Sequence, residues 1–244
     1  MIKSKMPEDS ELFTPESLSG LFYDVAEVYP PSVSAVSTIP WTRRLRGTAD
    51  LIAGLTIIAA FVVLISDQVN RGEFEPVLHF SYLTNQTSYS NIVVLLAGAY
   101  VAFTRPRDTV LYATIRANFV AYAVIVGTVY DALLREPDHF GFHNEVTHVA
   151  IPVYLAADWL IRNNRPRISW NTVWIGVSYP VVWVGVTLLR GAATDWYPYF
   201  FLNPNTLGWP GVIAYIIAIS IIFAGLIAGM VALNHLQHRR LSTS

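Results

Sequence analysis

Apolar residues run through this chain in six stretches, at about 48–67, 80–104, 109–134, 145–162, 170–190 and 209–234, separated by short polar loops. A helix needs roughly 20 residues to cross about 30 Å of hydrocarbon at 1.5 Å per residue, and each stretch is near that length. The pattern predicts an all-α, polytopic membrane protein with six transmembrane helices over residues 47–236. Residues 1–46 mix acids, Ser and Pro (Pro7, Pro15, Pro30, Pro31, Pro40) with few periodic apolar positions, which predicts a disordered tail. Residues 237–244 form a second, short tail. No secretory signal and no repeat of 20 to 50 residues is expected.

One stretch departs from the apolar pattern. PVLHFSYLTNQTSYSN at 76–91 carries hydroxyl and amide groups straight into an apolar run. If it is one helix, Ser81, Thr84, Ser88 and Asn91 share a stripe at i, i+3, i+7 and i+10, with Thr87 beside it. Such a seam inside a span ordinarily bonds its own backbone or a neighbouring helix. Its alternative role is to line a cavity.

Charge sets the expected orientation. Arg43, Arg44, Arg46, Arg105, Arg107, Arg162, Arg165, Arg167, Arg239 and Arg240 fall on one side of the six spans, and Arg71, Arg135 and Arg190 on the other. The Arg-rich side is expected to be cytoplasmic, which places both termini there. Trp196, Tyr197, Tyr199 and Trp209 on the outer side read as interfacial anchors.

The composition then narrows the chemistry. The chain is 53% hydrophobic and 14% charged with a net charge of −1, which gives no case for nucleic acid as a partner. It contains no cysteine, so disulfides, thiolate catalysis and sulfur-ligated metals are excluded. Its lysines are Lys3 and Lys5, ahead of every apolar run, which excludes a retinal Schiff base inside the bundle.

With this topology Thr84, Tyr130, Asp131 and His148 fall at one depth, in the outer half of the spans. A threonine hydroxyl is a weak nucleophile until a base takes its proton, and a neutral imidazole such as His148 is a suitable base. Asn144, four residues before His148, and Asp131 are candidates to orient the base. Tyr130 is a candidate oxyanion donor. A competing reading uses His79, His139, His143 and His148 as zinc ligands, but it lacks cysteine and any HExxH string, so no metal and no cofactor is assigned. His235 and His238 read as a solvated helix end. Arg116 within the third span calls for a partner, either a lipid headgroup, Asp50 or Asp158, and Asp158 has Arg162 one turn away.

Three strings, HFSYLTNQTSYSN at 79–91, FHNEVTHVAIP at 142–152 and DWYPYFFLN at 195–203, with the weaker VYDALL at 129–134, join these pieces. Together they resemble the androgen-induced-protein type of integral membrane hydrolases and their bacterial six-helix relatives. The resemblance implies a multi-pass protein of the bacterial plasma membrane that splits fatty acid esters, including esters of hydroxy fatty acids, with membrane lipid as its partner. It puts the family's nucleophilic threonine on Thr84 and its histidine on His148. Ser81, Ser88, Asn91 and Tyr197 are then expected to line the lipid cavity. One departure is the spacing of His148 from Pro152, which is one residue shorter than in the animal proteins. Two alternatives remain: a non-enzymatic lipid or small-molecule carrier, and a zinc-dependent lipid hydrolase.

Overall fold

The computed structural model describes residues 39–135, 141–162 and 165–242, with side chains through residue 239. Every regular element among them is helical. In chain order these are α1 (Trp41–Asn70), α2 (Pro76–His79), α3 (Leu83–Thr104), α4 (Val110–Val129) continued by a π-helical turn (Tyr130–Leu134), α5 (Phe142–Glu145), a second π-helical turn (Val146–Ala150), α6 (Ile151–Ile161), α7 (Asn171–Thr194), a 3₁₀ turn (Phe200–Leu202) and α8 (Pro204–Ser242). Five of these helices, α1, α3, α4 with its terminal turn, α7 and α8, are long and apolar enough to cross a membrane. The remaining apolar run is helical over 142–161 but is divided by the second π turn.

The burial pattern is that of a bundle solvated by lipid. Val62, Val63, Val181, Val182, Ile221 and Ile222 are exposed, while Asp50, Asn91, Arg116, Asn118 and Asn234 are buried. Water would favour the reverse arrangement. Length, composition and this pattern make the chain a multi-pass membrane protein.

Helix α4 is the centre, packing on α3, α6, α7 and α8. Ala113, Ala117 and Ala121, four residues apart and each almost fully buried, give it a smooth face that lets neighbouring backbones approach. Helix α1 packs along α3, with Gly47 against Ala102 and Phe103 and Gly54 against Leu95 and Leu96.

Two prolines shape the bundle by freeing a carbonyl one turn earlier. Pro180 in α7 cannot donate to Gly176, and the Tyr122 hydroxyl of α4 donates to that carbonyl instead, at 2.7 Å. Tyr122→Phe is therefore expected to leave a buried carbonyl unpaired and to lower stability by about 1–3 kcal/mol, read as thermal unfolding in detergent. A change below about 0.5 kcal/mol, the range of neutral surface substitutions, would contradict this. Pro152 likewise releases the His148 carbonyl. There the chain widens into the π turn, and Gly127 of α4 lies so close that a Cβ would press on that carbonyl and on the Pro152 ring.

The end of the bundle where α1, α4 and α7 begin is locked by ions. Arg116, with no exposed surface, donates through Nη2 to Asp50 Oδ1 (2.8 Å) and Asp158 Oδ2 (2.9 Å) and through Nη1 to Asp50 Oδ2 (3.1 Å) and the Tyr112 hydroxyl (2.7 Å). Tyr154 donates to Asp50 (2.7 Å). Asp108 gathers Arg43 (3.0 Å), Arg46 (3.3 Å) and Arg162 (2.8 Å), and Arg162 also meets Asp158 at 3.4 Å. Of the partners expected for Arg116, the two aspartates are the ones found.

Four expectations change here. Helix α8 runs through Ser242, so residues 237–242 continue the last helix and are not a separate tail. Helix α1 begins at Trp41 rather than near residue 48, so residues 41–46 belong to the bundle and not to a tail; Arg43 and Arg46 tie this turn to Asp108. Residues 76–91 are not one helix: the chain breaks at 80–82, and the side-chain amides of Asn85 and Gln86 donate to the His79 and Phe80 carbonyls (2.8 and 2.7 Å) that the break releases. His235 and His238 are not merely solvated, since their ring N–H groups donate to the Ile168 and Arg165 carbonyls, each at 2.7 Å. Residues 1–38 of the expected tail lie outside the described residues.

Candidate functional site

Thr84 stands in the first turn of α3, where backbone N–H groups have no partner within the helix. Its N–H donates to the Tyr199 hydroxyl at 3.3 Å. Both residues line a cavity of about 160 Å³ enclosed by the start of α3, the end of α4, α7, α8 and the 195–203 segment. The cavity is almost wholly apolar, with walls that include Val126, Val129, Val177, Val184, Ile216, Ile219 and Phe223. Its hydroxyl groups are Thr84, Tyr199 and, deeper along α8, Ser220; the Trp183 indole N–H is already bonded to the Ser81 carbonyl at 3.1 Å. An apolar cavity with a few convergent polar groups is the usual form of a small-molecule site.

The 195–203 segment closes one end of that cavity through Tyr199, Phe201 and Leu202. It leaves α7 through Asp195, whose left-handed backbone (φ 58) is one of the few a side chain of this type tolerates, and Asn205 fixes the turn by donating to the Asp195 carboxylate at 2.7 Å. Tyr82 packs edge-on against Trp196 and Tyr199. Burial pushes the Tyr199 phenol up to about 12, partly offset by hydrogen bonding from Thr84, so the phenol keeps its proton at neutral pH.

His148 lies on the second π turn, 5% exposed, with its ring stacked on Tyr130 of the first π turn (centroids 3.9 Å, planes 7° apart). Its Nδ1 is buried without a hydrogen-bond partner. Arg135 joins the two distorted turns by pairing with Asp131 (3.3 Å) and Glu145. π turns are rare and are frequently found at functional sites, and two of them meet here.

Of the residues singled out from the sequence, the structure thus brings Tyr130 to His148 and Thr84 to Tyr199. It does not bring Thr84 to His148 by a hydrogen bond, and His148 is not in the wall of the Thr84 cavity. The link between them is Val129, a wall residue, followed by Tyr130. Asn144 does not orient His148: its side-chain oxygen faces His143 Nδ1 at 3.4 Å, because the π turn between Asn144 and His148 removes the i, i+4 alignment that a regular helix gives. Asp131 is exposed and engaged with Arg135 instead. Tyr130 acts on His148 by stacking.

The cavity expectations are also corrected. Ser81 precedes α3, donates to the Val77 carbonyl and receives the Arg190 guanidinium. Ser88 and Asn91 are buried in α3 outside the cavity's walls, and Tyr197 packs on Gly191 of α7 and is not among the wall residues. Tyr199 is 8% exposed, so it is a wall residue and not an interfacial anchor. Its position was signalled by the DWYPYFFLN string but hidden by the abundance of aromatics near it.

Among the described residues no three His, Asp or Glu side chains are placed to hold a metal ion, and His139 lies outside them. His79 and His143 instead join an aromatic cluster. His79 bonds the Tyr89 hydroxyl at 2.8 Å, and Phe61 stacks on Tyr89 (4.2 Å) and meets His143 edge-on (4.7 Å). Burial holds the His79 imidazole below its ordinary pKa range.

Fold and site together define a helical membrane bundle with an apolar cavity at one end and a hydroxyl pair on its wall. No protein-family model matches the chain, and no curated protein or solved structure is found similar to it.

Proposed function

We propose that this protein is an intramembrane lipid esterase of the androgen-induced-protein type, acting on fatty acid esters in the bacterial plasma membrane. The observation that carries the reading is Thr84, the residue matching the family's nucleophile, on the wall of an apolar cavity. Wall residues 216 to 223 of α8 extend over about 10 Å at 1.5 Å per residue, room for a length of acyl chain beyond a carbonyl held at Thr84. In the reaction, Thr84 Oγ bonds to the carbonyl carbon and its proton passes to His148. The tetrahedral intermediate then collapses, the ester C–O bond breaks, and the alcohol leaves with the proton from His148. Water next attacks the acyl-threonine, giving the free acid and restoring Thr84. No hydrogen bond joins Thr84 to His148, so the mechanism requires the first proton to reach His148 through an intervening group.

The test is hydrolysis of a fatty acid ester of a hydroxy fatty acid by purified, vesicle-reconstituted protein and by its Thr84→Ala and His148→Ala variants. Activity is expected in the parent and lost in both variants; undiminished activity in either sinks the mechanism. A second reading, a carrier that binds lipid without cleaving it, is favoured by that missing Thr84 to His148 bond. It requires saturable ester binding with no turnover in folded protein.

The same proposal includes six spans, with 142–161 as the fourth, and both termini in the cytoplasm. The Arg-rich loops at one end and the α2, 195–203 and Arg135 regions at the other support it. Since the chain has no cysteine, single-cysteine variants report topology directly. A membrane-impermeant maleimide added to intact cells is expected to label Glu73→Cys and Gly141→Cys and to spare Arg107→Cys and Arg167→Cys. Equal labelling of Gly141→Cys and Arg167→Cys would remove the fourth span.

A further inference from the structure

We propose that the Tyr199 hydroxyl is the carbonyl-binding group of the cavity, donating its proton to the carbonyl oxygen of an acyl ester whose chain occupies the apolar space. The inference rests on reading the cavity as an acyl-ester site, and it holds for a carrier as well as for an enzyme.

Four observations lead to it. The Tyr199 oxygen lies 3.3 Å from the Thr84 backbone nitrogen and accepts its N–H, which occupies a lone pair and leaves the phenolic proton available. Among the other polar side chains of the wall, Trp183 has committed its N–H to the Ser81 carbonyl and Ser220 belongs to α8. The ring is held from three sides, stacked on Phe201 (5.1 Å) with Tyr82 and Trp183 each at 5.9 Å, so the donor is oriented before a ligand arrives. Burial keeps the phenol protonated, as a donor must be. The Tyr130 hydroxyl, by contrast, belongs to a ring stacked on His148 and is absent from the cavity wall. If Thr84 attacks the carbonyl carbon, the π pair moves onto the oxygen that Tyr199 already holds, and the same hydrogen bond strengthens as charge develops there.

The test uses Tyr199→Phe, which removes one oxygen and keeps the packed ring. Binding is measured in the Thr84→Ala background, where the backbone N–H remains and turnover is blocked, with an acyl ester and its ether analogue, which lacks the carbonyl. The ester is expected to bind roughly 3- to 10-fold tighter than the ether, and the added Tyr199→Phe change is expected to abolish that difference. In otherwise parental protein, Tyr199→Phe is expected to lower kcat by about 10²- to 10³-fold and to raise KM by no more than the roughly 3- to 10-fold lost in binding. Ester preference that survives Tyr199→Phe, or an unchanged kcat, overturns the role of Tyr199 and leaves the esterase standing. Ester preference lost with Tyr199→Phe in a protein that never hydrolyses the ester supports Tyr199 and overturns the esterase. Folded protein that binds neither ligand overturns both.

Discussion

Arg116→Ala is expected to destabilise the bundle by about 3–5 kcal/mol, the cost of removing one partner from a buried ion pair. Arg116 has no exposed surface and neither does Asp50, its bidentate partner. Without the guanidinium, Asp50 keeps the Tyr154 hydroxyl at 2.7 Å and Arg46 at 3.6 Å, and Asp158 loses its 2.9 Å bond. Losing the bidentate donor of a fully buried carboxylate in a low-dielectric interior is expensive, and folded domains hold only about 5–15 kcal/mol in reserve. Lysine is not expected to rescue the site, because an ammonium has no planar fork to span Asp50 and Asp158 together. At roughly 2–4 °C per kcal/mol for a chain of this size, the melting temperature in detergent should fall by about 6–20 °C. Arg44→Ala, at an exposed position on the first turn of α1, serves as the control and should change little. Equal melting temperatures for the two variants would show that the buried network does not hold this end together.

Thr84→Ala should produce the opposite pattern, a large loss of activity with an almost unchanged fold. Thr84 is half-buried and its backbone N–H, the group that bonds Tyr199, survives the substitution. Truncation removes one hydroxyl and one methyl from a cavity wall, a modest stability change. Removing a nucleophile commonly costs far more, and a fall in kcat of roughly 10³-fold or greater is expected. Thr84→Ser, which keeps a hydroxyl on a less restricted side chain, should retain a measurable part of the rate. His148→Ala should lose about 10²- to 10⁴-fold. The ionic end lies about 25 Å from Thr84 along α3, given 17 residues from 84 to 101, so Arg116 variants that remain folded should keep the KM of the parent.

The helical architecture is legible in the sequence because 18 or more apolar residues in a row have few other stable outcomes in lipid. Details that depend on distant partners are not. The early start of α1 at Trp41 needs Asp108, more than 60 residues away, and the break at 80–82 needs the Asn85 and Gln86 side chains to take up two carbonyls. The helical stripe expected through Ser81 is therefore one that the chain does not form. Asp158 and Arg162 were visible as an i, i+4 pair, whereas Asp108, which gathers three arginines, sits outside any periodic pattern. At the candidate site, Thr84 was visible through its string and its depth. A depth shared by expectation does not make a contact, however: His148 stacks on Tyr130 and has no hydrogen bond to Thr84. Tyr199 was hidden because aromatic residues at a membrane boundary read alike until one of them turns inward.

Whether Thr84 is the nucleophile is tested most directly by a covalent label. Purified protein with ester-hydrolysing activity is treated with a long-chain alkyl fluorophosphonate, digested and mapped by mass spectrometry. One adduct on Thr84 is expected, rising in step with the loss of hydrolysis and absent from Thr84→Ala. Inactivation with the adduct on another residue, or hydrolysis that continues while Thr84 stays unmodified by a saturating label, would contradict the assignment.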